Sequence, residues 1–332
     1  MTDLTGLRVT YICRYVPGVN EILKSIENGL IESGCIVQEL NLTGKVDLLH
    51  NPQRHLGGNG PVYVRLDKIM HHLKAFRPDV VILCGGGLTF TVQQMNTLKR
   101  YCVVLGITLS DPDIFRTVSV YSDHYDFHTT NSSQALPNYL SLGHDRTYHM
   151  PFAVDSQYFV PRPVDPEYKC DVAVIGHPRP DRFEITNKLI EDFDTILYGT
   201  NWPSHTKGVV SGEEWFKAAY STRCLVNFPR TGAGNINIKA GVFEAVSTGR
   251  LLFTSYFEEM SKYFEYGKEI VGYDGTDDLI NKIRYYLDNP QEADKIMKAG
   301  QDRCLRDHTW SARFIDLFSH IDLASYKQQR KW

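Results

Sequence analysis

The sequence is 332 residues long, which is enough for two domains of ordinary size. Hydrophobic residues make up 42% and charged residues 23% of it, a balance that is typical of globular proteins with sizeable cores. The net charge of −3 gives no electrostatic case for a nucleic-acid-binding protein, and no apolar run is long enough to cross a bilayer.

The seven cysteines are scattered along the chain without a CxxC pair. Such cysteine usage is typical of proteins in a reducing cellular compartment. The N-terminal segment MTDLTGLRVTYIC contains too few apolar residues to be a signal peptide. We therefore expect a cytoplasmic protein.

Strands alternate with helices along the first half of the chain. In chain order the pattern predicts strand 8–13, helix 19–33, strand 36–40, helix 66–76, strand 79–83, helix 92–101, strand 103–109, strand 126–130, helix 132–142 and a closing segment over 146–154. Residues 44–61 read as a loop, and a loop of that length inside a compact domain is often functional or mobile. Such alternation predicts a doubly wound α/β domain over the first 150 residues or so.

A proline-rich linker, 151–168, separates this half from a second α/β set. The predicted elements there are strand 171–175, helix 182–192, strand 195–198, helix 213–220, strand 224–228, a helix from about 240, strand 251–254, strand 269–273, helix 277–287, helix 290–307 and a mostly helical tail from 310. The sequence thus predicts two Rossmann-like halves.

The stretch NINIKAGVFEAVSTGR, residues 235–250, carries the main functional signal. A helix that starts near Ala240 would aim its free N–H groups and positive dipole end at an anion. Glu244 lies about one turn further on, where a carboxylate can accept hydrogen bonds from the vicinal hydroxyls of a ribose. The alternative is an ordinary amphipathic helix, with Glu244 in solvent and a core face of Val242, Phe243 and Val246. These residues alone do not decide between the two.

The segment HPRPDR follows a strand of the second half. Arg182 would enter the first turn of a helix, where a cation opposes the helix dipole unless an anion is bound. A diphosphate suits the forked donors of arginine, and a solvated side chain is the alternative. Tyr198, Gly199 and Trp202 end the next strand, where an aromatic ring could cover a base.

The first half offers weaker signals. Gly85, Gly86 and Gly87 follow a strand, but they lack the spacing of a dinucleotide fingerprint, so a flexible turn is as good an interpretation as a ligand contact. Asp111 and Asp113 flank Pro112 at a strand end, where turn chemistry is the preferred explanation over catalysis. The histidines show no metal-binding spacing, and there is neither a GxSxG motif nor a Walker loop.

The second half resembles a known family. The segments VIGHPRPDR, ILYGTNW, LVNF, KAGVFEAVSTGRLLFT and KAGQDRCLRDHTWSARF, together with EEMSKYFEYGKEIVGYDGTDDLINKIRYYLDNP, span about 171 to 314. In order and spacing they resemble the glycosyltransferase group 1 proteins of GT-B fold, and within these the CgeB-like branch first named for spore maturation. The first half is similar only in outline, through RPDVVILCGGG, GITLSDPD and YHMPFAVDSQYF.

The resemblance implies an α/β protein of GT-B fold, with two Rossmann-like domains facing each other across a cleft. Residues 1–152 would form the acceptor-side domain and 153–312 the donor domain, with a final helix over 313–332 that packs toward the first domain. The implied activity is transfer of a sugar from a UDP-hexose or UDP-N-acetylhexosamine to an acceptor, without metal or cofactor.

The resemblance also implies roles for individual residues. Glu244 would hold the ribose, and Arg182 would bind phosphate. Tyr198, Gly199 and Trp202 would border the base pocket. The other donor-binding positions would be Gly176, His177, Asn235, Asn237, Lys239, Gly241, Val242 and Phe243, and those on the acceptor side Gly18, Gly86, Gly87 and Asp111, the last as the base of an inverting enzyme.

Two positions depart from the family pattern. Many retaining relatives have a second Glu where this chain has Ile236, and the related branch often has an Arg where it has Gly241, with Lys239 as a substitute. The missing Glu leaves two further hypotheses open. One is a non-catalytic nucleotide-sugar-binding or assembly protein, and the other is a UDP-sugar epimerase on the same scaffold.

Overall fold

The alternation of strands and helices continues along both halves of the chain. The computed structural model describes residues 3–50, 61–85, 87–328 and 330–332. These divide into two compact units, one formed by Met1–Phe152 with Trp310–Trp332 and the other by Ala153–Thr309.

The elements of the first unit up to residue 152 are β1 (Arg8–Cys13), α1 (Ile22–Glu32), β2 (Ile36–Asn41), β3 (Leu49–His50), β4 (Val62–Val64), α2 (Leu66–Phe76), β5 (Val80–Cys84), β6 (Leu88–Thr89), α3 (Val92–Leu98), β7 (Val103–Thr108), α4 (Phe115–Val118), β8 (Phe127–Thr130), α5 (Leu136–Ser141) and β9 (Thr147–His149). The second unit contains β10 (Cys170–Ile175), α6 (Pro180–Asp192), β11 (Thr195–Tyr198), α7 (Glu213–Ser221), β12 (Thr222–Asn227), α8 (Ala240–Ser247), β13 (Leu251–Ser255), β14 (Val271–Tyr273), α9 (Gly275–Asp288) and α10 (Pro290–Asp307). The chain ends with α11 (Trp310–Ser319) and α12 (Leu323–Gln328) in the first unit.

The first unit is built on a six-stranded parallel sheet in the order β2-β1-β5-β7-β8-β9. The strands are apolar runs because both faces of such a sheet are covered by helices. The C-terminal segment belongs to this unit, where α11 packs on α1. The contact is close: a Cβ on Gly29 would lie 2.3 Å from the Cβ of Trp310.

A small second sheet, β3-β4-β6, was not predicted. Its β3–β4 pair is antiparallel and its β4–β6 pair is parallel. Strands of two or three residues are too short to show a period of two, so the sequence carries no signal for them. Much of the predicted 44–61 loop, residues 51–60, lies outside the described residues.

The second unit has a five-stranded parallel sheet in the order β11-β10-β12-β13-β14. The side chains of β10, β12 and β13 form one buried cluster with α9 and α10. Two predicted helix boundaries fall where the structure has them, since α8 begins at Ala240 and α10 spans Pro290–Asp307. Prolines and a small-residue entry give these helix starts a clear local signal.

Candidate functional site

The order of the five strands creates a crevice in the second unit. Strand β10 lies between β11 and β12. The connection after β10 leads to the strand on one side of it, and the connection after β11 leads to the strand on its other side. In an open parallel sheet, ligands bind at the carboxyl ends of the two strands that flank such a switch point. Here these ends are Ile175 of β10 and Asn227 of β12, and both line a cavity of about 130 Å³.

Helix α8 begins at the edge of this cavity. Its N-terminal flanking residue, Lys239, has extended backbone and provides no side-chain cap. The amide of Val242 donates to the carbonyl of Lys239, whereas the amides of Ala240 and Gly241 donate to no group among the described residues. Two free N–H groups and the positive end of the helix dipole therefore point out of the helix, as an anion site requires.

Glu244, the fifth residue of α8, lines the same cavity. Its side chain is half-buried, and in the described part of the chain its carboxylate accepts no hydrogen bond and forms no ion pair. Burial raises the pKa of Glu244 from an ordinary 4.5 to about 7. The half-buried position of Glu244 at the cavity favours a ligand role over that of a solvated side chain on an ordinary core helix. A desolvated carboxylate without a partner is costly unless a ligand supplies hydrogen bonds to it.

The other helix residues act through packing or backbone. Val242 and Phe243 are fully buried, at 1% and 0% exposure, so only their backbone could reach a ligand. Gly241 lines the cavity, and a Cβ placed there would lie 4.0 Å from Glu244 Oε2. Glycine at this position keeps the approach to the helix start open.

The loop before α8 is folded on itself. Arg230 and Ile236 form an antiparallel bridge, and the amide of Asn237 donates to the carbonyl of Pro229. The ammonium of Lys239 donates to the carbonyls of Phe228 at 2.9 Å and Arg230 at 2.8 Å. Lys239 thus fixes the entry to the helix, which is a positioning role beside the donor-binding role that was predicted.

Arg182 is the third residue of α6 and is buried, with 7% of its surface exposed. Its Nη1 donates to the carbonyl of His177 at 2.6 Å, its guanidinium lies 5.1 Å from the ring centre of Phe228, and its buried Nε has no hydrogen-bond partner. Burial lowers the pKa of Arg182. Among the described residues it forms no ion pair, whereas its neighbour Arg179 pairs with Asp181. The structure therefore places Arg182 in the interior and not in solvent.

The strand ends beside Arg182 are held together by tight backbone contacts. A Cβ on Gly199 would lie 2.2 Å from the carbonyl oxygen of Gly176, so only glycine fits there. A Cβ on Gly176 would lie 3.4 Å from Nη1 of Arg182. His177 is exposed, and its Nδ1 shares a hydrogen bond with the hydroxyl of Thr200.

The two aromatic residues predicted to border the base lie inside the protein. Trp202 is 4% exposed, donates from Nε1 to the carbonyl of Gly176 and packs edge-on against Phe183. Tyr198 is 1% exposed and stacks on Tyr168. Because a buried ring has no face to offer a base, both side chains support the strand ends from within.

Among the cavity residues that sequence reasoning missed, Trp215 and Asn227 are the two with an aromatic or polar side chain. Trp215 lies in α7, which the pattern marked only as a helix. Asn227 ends β12, and its amide donates to Thr254. Nothing in the local sequence singles them out, because α7 and α8 become neighbours only through their common contact with β12.

The acceptor-side predictions fall in the first unit. Gly18 lies in a turn at φ 75°, with its amide donating to Glu21. Gly87, at φ 66°, lines a small cavity of about 60 Å³ at the carboxyl ends of β5 and β7. Gly86 lies outside the described residues. The structure therefore brings Gly87 to a strand-end cavity and leaves Gly18 in a separate turn.

Asp111 is buried, with 2% of its surface exposed. Its Oδ2 accepts hydrogen bonds from the hydroxyls of Thr130 at 2.6 Å and Tyr139 at 2.9 Å, and its backbone pairs with the amide of Asn131. Burial raises the pKa of Asp111. A base must reach its substrate, so this arrangement favours the turn interpretation over the catalytic one.

Other site types find no support in the described residues. They contain no group of three or more His, Cys, Asp or Glu side chains arranged to hold a metal ion. No helix of the described part of the chain is long and apolar enough to span a membrane. The seven cysteines are all buried free thiols.

Known proteins resemble this chain in sequence over its second half and in fold over most of its length. Residues 182–319 match the glycosyl transferase-like family model. This glycosyl transferase-like segment begins at the buried Arg182 and includes the whole of α8, although it covers less than half of the chain. No curated protein matches the sequence.

Solved structures match over nearly the whole length. HepE of Anabaena, determined with UDP-glucose, is 9% identical with a TM-score of 0.60, over 96% of this chain and 99% of that chain. Sucrose-phosphate synthase of Thermosynechococcus elongatus is 14% identical with a TM-score of 0.59, over 94% and 98%. A putative UDP-N-acetylglucosamine 2-epimerase of Listeria monocytogenes is 13% identical with a TM-score of 0.53, over 99% and 100%.

These likenesses establish the fold. The predicted α/β class of GT-B type is confirmed, with two parallel sheets in the described chain that each carry helices. The CgeB-like branch stays a prediction, because neither the family model nor the structural matches distinguish it.

Proposed function

We propose that the protein is a glycosyltransferase that transfers a hexose or N-acetylhexosamine from a UDP-linked donor to an acceptor. The glycosyl transferase-like segment and the UDP-glucose bound to HepE support this proposal. The observation that carries it is Glu244, a half-buried carboxylate that has no partner among the described residues and lines the cavity beside the start of α8.

The donor would use three features of the second unit. The diphosphate would lie between the free amides of α8 and the unpaired guanidinium of Arg182. The ribose hydroxyls would donate to Glu244 and relieve its desolvation. On departure of the sugar, negative charge develops on the diphosphate, and the same helix end and guanidinium would stabilise it.

Calorimetric titration with UDP, UDP-glucose and UDP-N-acetylglucosamine tests this assignment. Removing a charge-assisted hydrogen bond costs about 1.5–3 kcal/mol, so Arg182→Gln and Glu244→Gln should each weaken UDP binding by roughly ten- to a hundredfold. Arg179→Gln, which alters a paired arginine at the same helix start, serves as the control and should bind as the wild type does. Unchanged affinity in both site variants would refute the donor site.

Turnover separates transfer from the two alternatives. A transferase releases free UDP slowly from its donor even without acceptor, whereas a non-catalytic binding protein releases none. The non-catalytic alternative rests on Ile236, which stands where many retaining relatives have a Glu.

The likeness to a putative UDP-N-acetylglucosamine 2-epimerase favours the third alternative as a second candidate. An epimerase would consume UDP-N-acetylglucosamine without any acceptor and give an epimerised sugar. Analysis of the sugar product by NMR distinguishes this from hydrolysis, in which the sugar keeps its configuration at C2.

A further inference from the structure

Trp215 shares the cavity at the switch point with Glu244. It lies in the first turn of α7, and α7 and α8 both contact β12. The cavity is therefore bounded by an indole on the α7 side and a carboxylate on the α8 side, with Asn227 at the end of the strand between them.

The indole of Trp215 is not a fully packed core ring. It is half-buried, whereas Trp202 and Trp310 are 4% and 0% exposed. Its contacts with Phe159, at 5.8 Å and 79°, and with Phe216, at 5.4 Å and 86°, are both of the edge type. In the described part of the chain no ring stacks in parallel on it, so an aromatic ligand is the stacking partner that it could still accept.

The two sides of the cavity differ in chemistry. The carboxylate of Glu244 suits the hydroxyl-bearing ring. The indole on the α7 side suits the base, which has an aromatic face to stack on it.

We propose that Trp215 is the base-stacking residue of this site, with the ribose in the cavity against Glu244 and the nucleobase on the indole. This inference rests on the proposed nucleotide-sugar donor and gives the base subsite a residue other than the buried Tyr198 and Trp202. Stacking on an aromatic ring tolerates any base, since every base has a π face. Trp215 therefore contributes affinity for the base and little discrimination between bases.

Two probes that differ only by the base test the proposal, namely UDP and ribose 5-diphosphate. In the wild type we expect UDP to bind about tenfold or more tightly than ribose 5-diphosphate, in line with the usual worth of a stacked base. In Trp215→Leu the affinity for UDP should fall to near that for ribose 5-diphosphate, whose own affinity should not change. Trp215→Phe keeps a ring and should give an intermediate value for UDP.

Glu244→Gln is the matched comparison, because it should weaken both probes. UDP binding to Trp215→Leu at wild-type strength would overturn the role of Trp215 and leave the proposed function standing. An equal loss for both probes in Trp215→Leu would also overturn it, by showing that the indole supports the fold and not the base. A wild type that binds neither probe would overturn the proposed function itself.

Unfolding temperatures of the unliganded variants show whether each is folded. If Trp215→Leu is unfolded, the comparison of the two probes in Trp215→Phe decides. A loss confined to UDP supports stacking, and unchanged or equal losses overturn it.

Discussion

The indole nitrogen of Trp202 donates a hydrogen bond of 2.8 Å to the carbonyl oxygen of Gly176. Gly176 directly follows β10, and Trp202 lies three residues after the tight contact at Gly199. The bond and the contact together fix Gly176, whose Cα side lies next to the guanidinium of the buried Arg182. Two neighbouring strand ends are thereby held in register at the site where we place the diphosphate.

The contact at Gly199 predicts a large effect of a single methyl group. In Gly199→Ala the Cβ would lie 2.2 Å from the oxygen of Gly176, at a φ of 152° that side chains rarely adopt. Overpacking of this kind costs about 1–3 kcal/mol, and we expect a loss of at least that size in the free energy of unfolding measured with urea.

Gly232→Ala is the control, because a Cβ there meets nothing within 4 Å. It should change the free energy of unfolding by less than about 0.5 kcal/mol. Equal effects of the two substitutions would contradict the close approach of the strand ends.

Glu244 predicts a specific pH dependence of stability. Its pKa is about 7 in the folded protein against an ordinary 4.5, so between these values the folded state holds a proton that the unfolded chain has released. The contribution of Glu244 to the free energy of unfolding therefore falls as pH rises from 4.5 through 7. Glu244→Gln carries no such proton, so its stability relative to the wild type should increase from pH 5 to pH 8.

Urea unfolding of both proteins at the two pH values measures this difference. The exposed Glu258, changed to Gln, serves as the control and should follow the wild type at both. A constant difference between Glu244→Gln and the wild type would show that Glu244 is solvated.

We expect a substitution of Arg182 to have opposite effects on the stability of the protein and on its affinity for UDP. A buried cation without an ion pair costs desolvation energy, which the hydrogen bond to His177 and the contact with Phe228 offset only in part, so Arg182→Met should leave the unliganded protein at least as stable as the wild type. The same variant should lose roughly tenfold or more in affinity for UDP, because the diphosphate loses its charged donor.

Arg179→Met is the matched variant at the same helix start, where it removes an ion pair with Asp181. We expect a small loss of stability, within about 1 kcal/mol, and little change in UDP affinity. A strong loss of stability in Arg182→Met would indicate that Arg182 serves the fold and not a ligand.

Asp111 predicts a structural effect in the first unit. In Asp111→Ala the buried hydroxyls of Thr130 and Tyr139 lose their acceptor, at a cost of about 1–3 kcal/mol each. Asp111→Asn keeps an acceptor oxygen and should lose less. Asp113→Ala, on the exposed side of the same turn, should be nearly neutral in urea unfolding. If Asp111→Ala is as stable as the wild type but has no transferase activity, the result would instead support Asp111 as the catalytic base.

Much of the architecture follows from local patterns. The alternation of apolar runs with amphipathic segments predicts both Rossmann-like halves, and small or proline residues at the helix starts place α8 at Ala240 and α10 at Pro290. Because the start of α8 follows from local residues, Glu244 could be placed about one turn into the helix. Arg182 in the first turn of α6 follows in the same way.

Tertiary structure alone decided which of these side chains meet. Glu244 and Trp215 are 29 positions apart and share a cavity because the sheet order sets their two helices beside β12. Tyr198 and Trp202 are aromatic residues of the kind that can border a base, but in the folded protein both are buried. Asp111 accepts hydrogen bonds from two hydroxyls, those of Thr130 in β8 and Tyr139 in α5. The sequence by itself determines periodicity and helix ends, which depend on neighbours along the chain. Burial, free faces and unpaired charges depend on neighbours across the sheet, and these exist only in the folded protein.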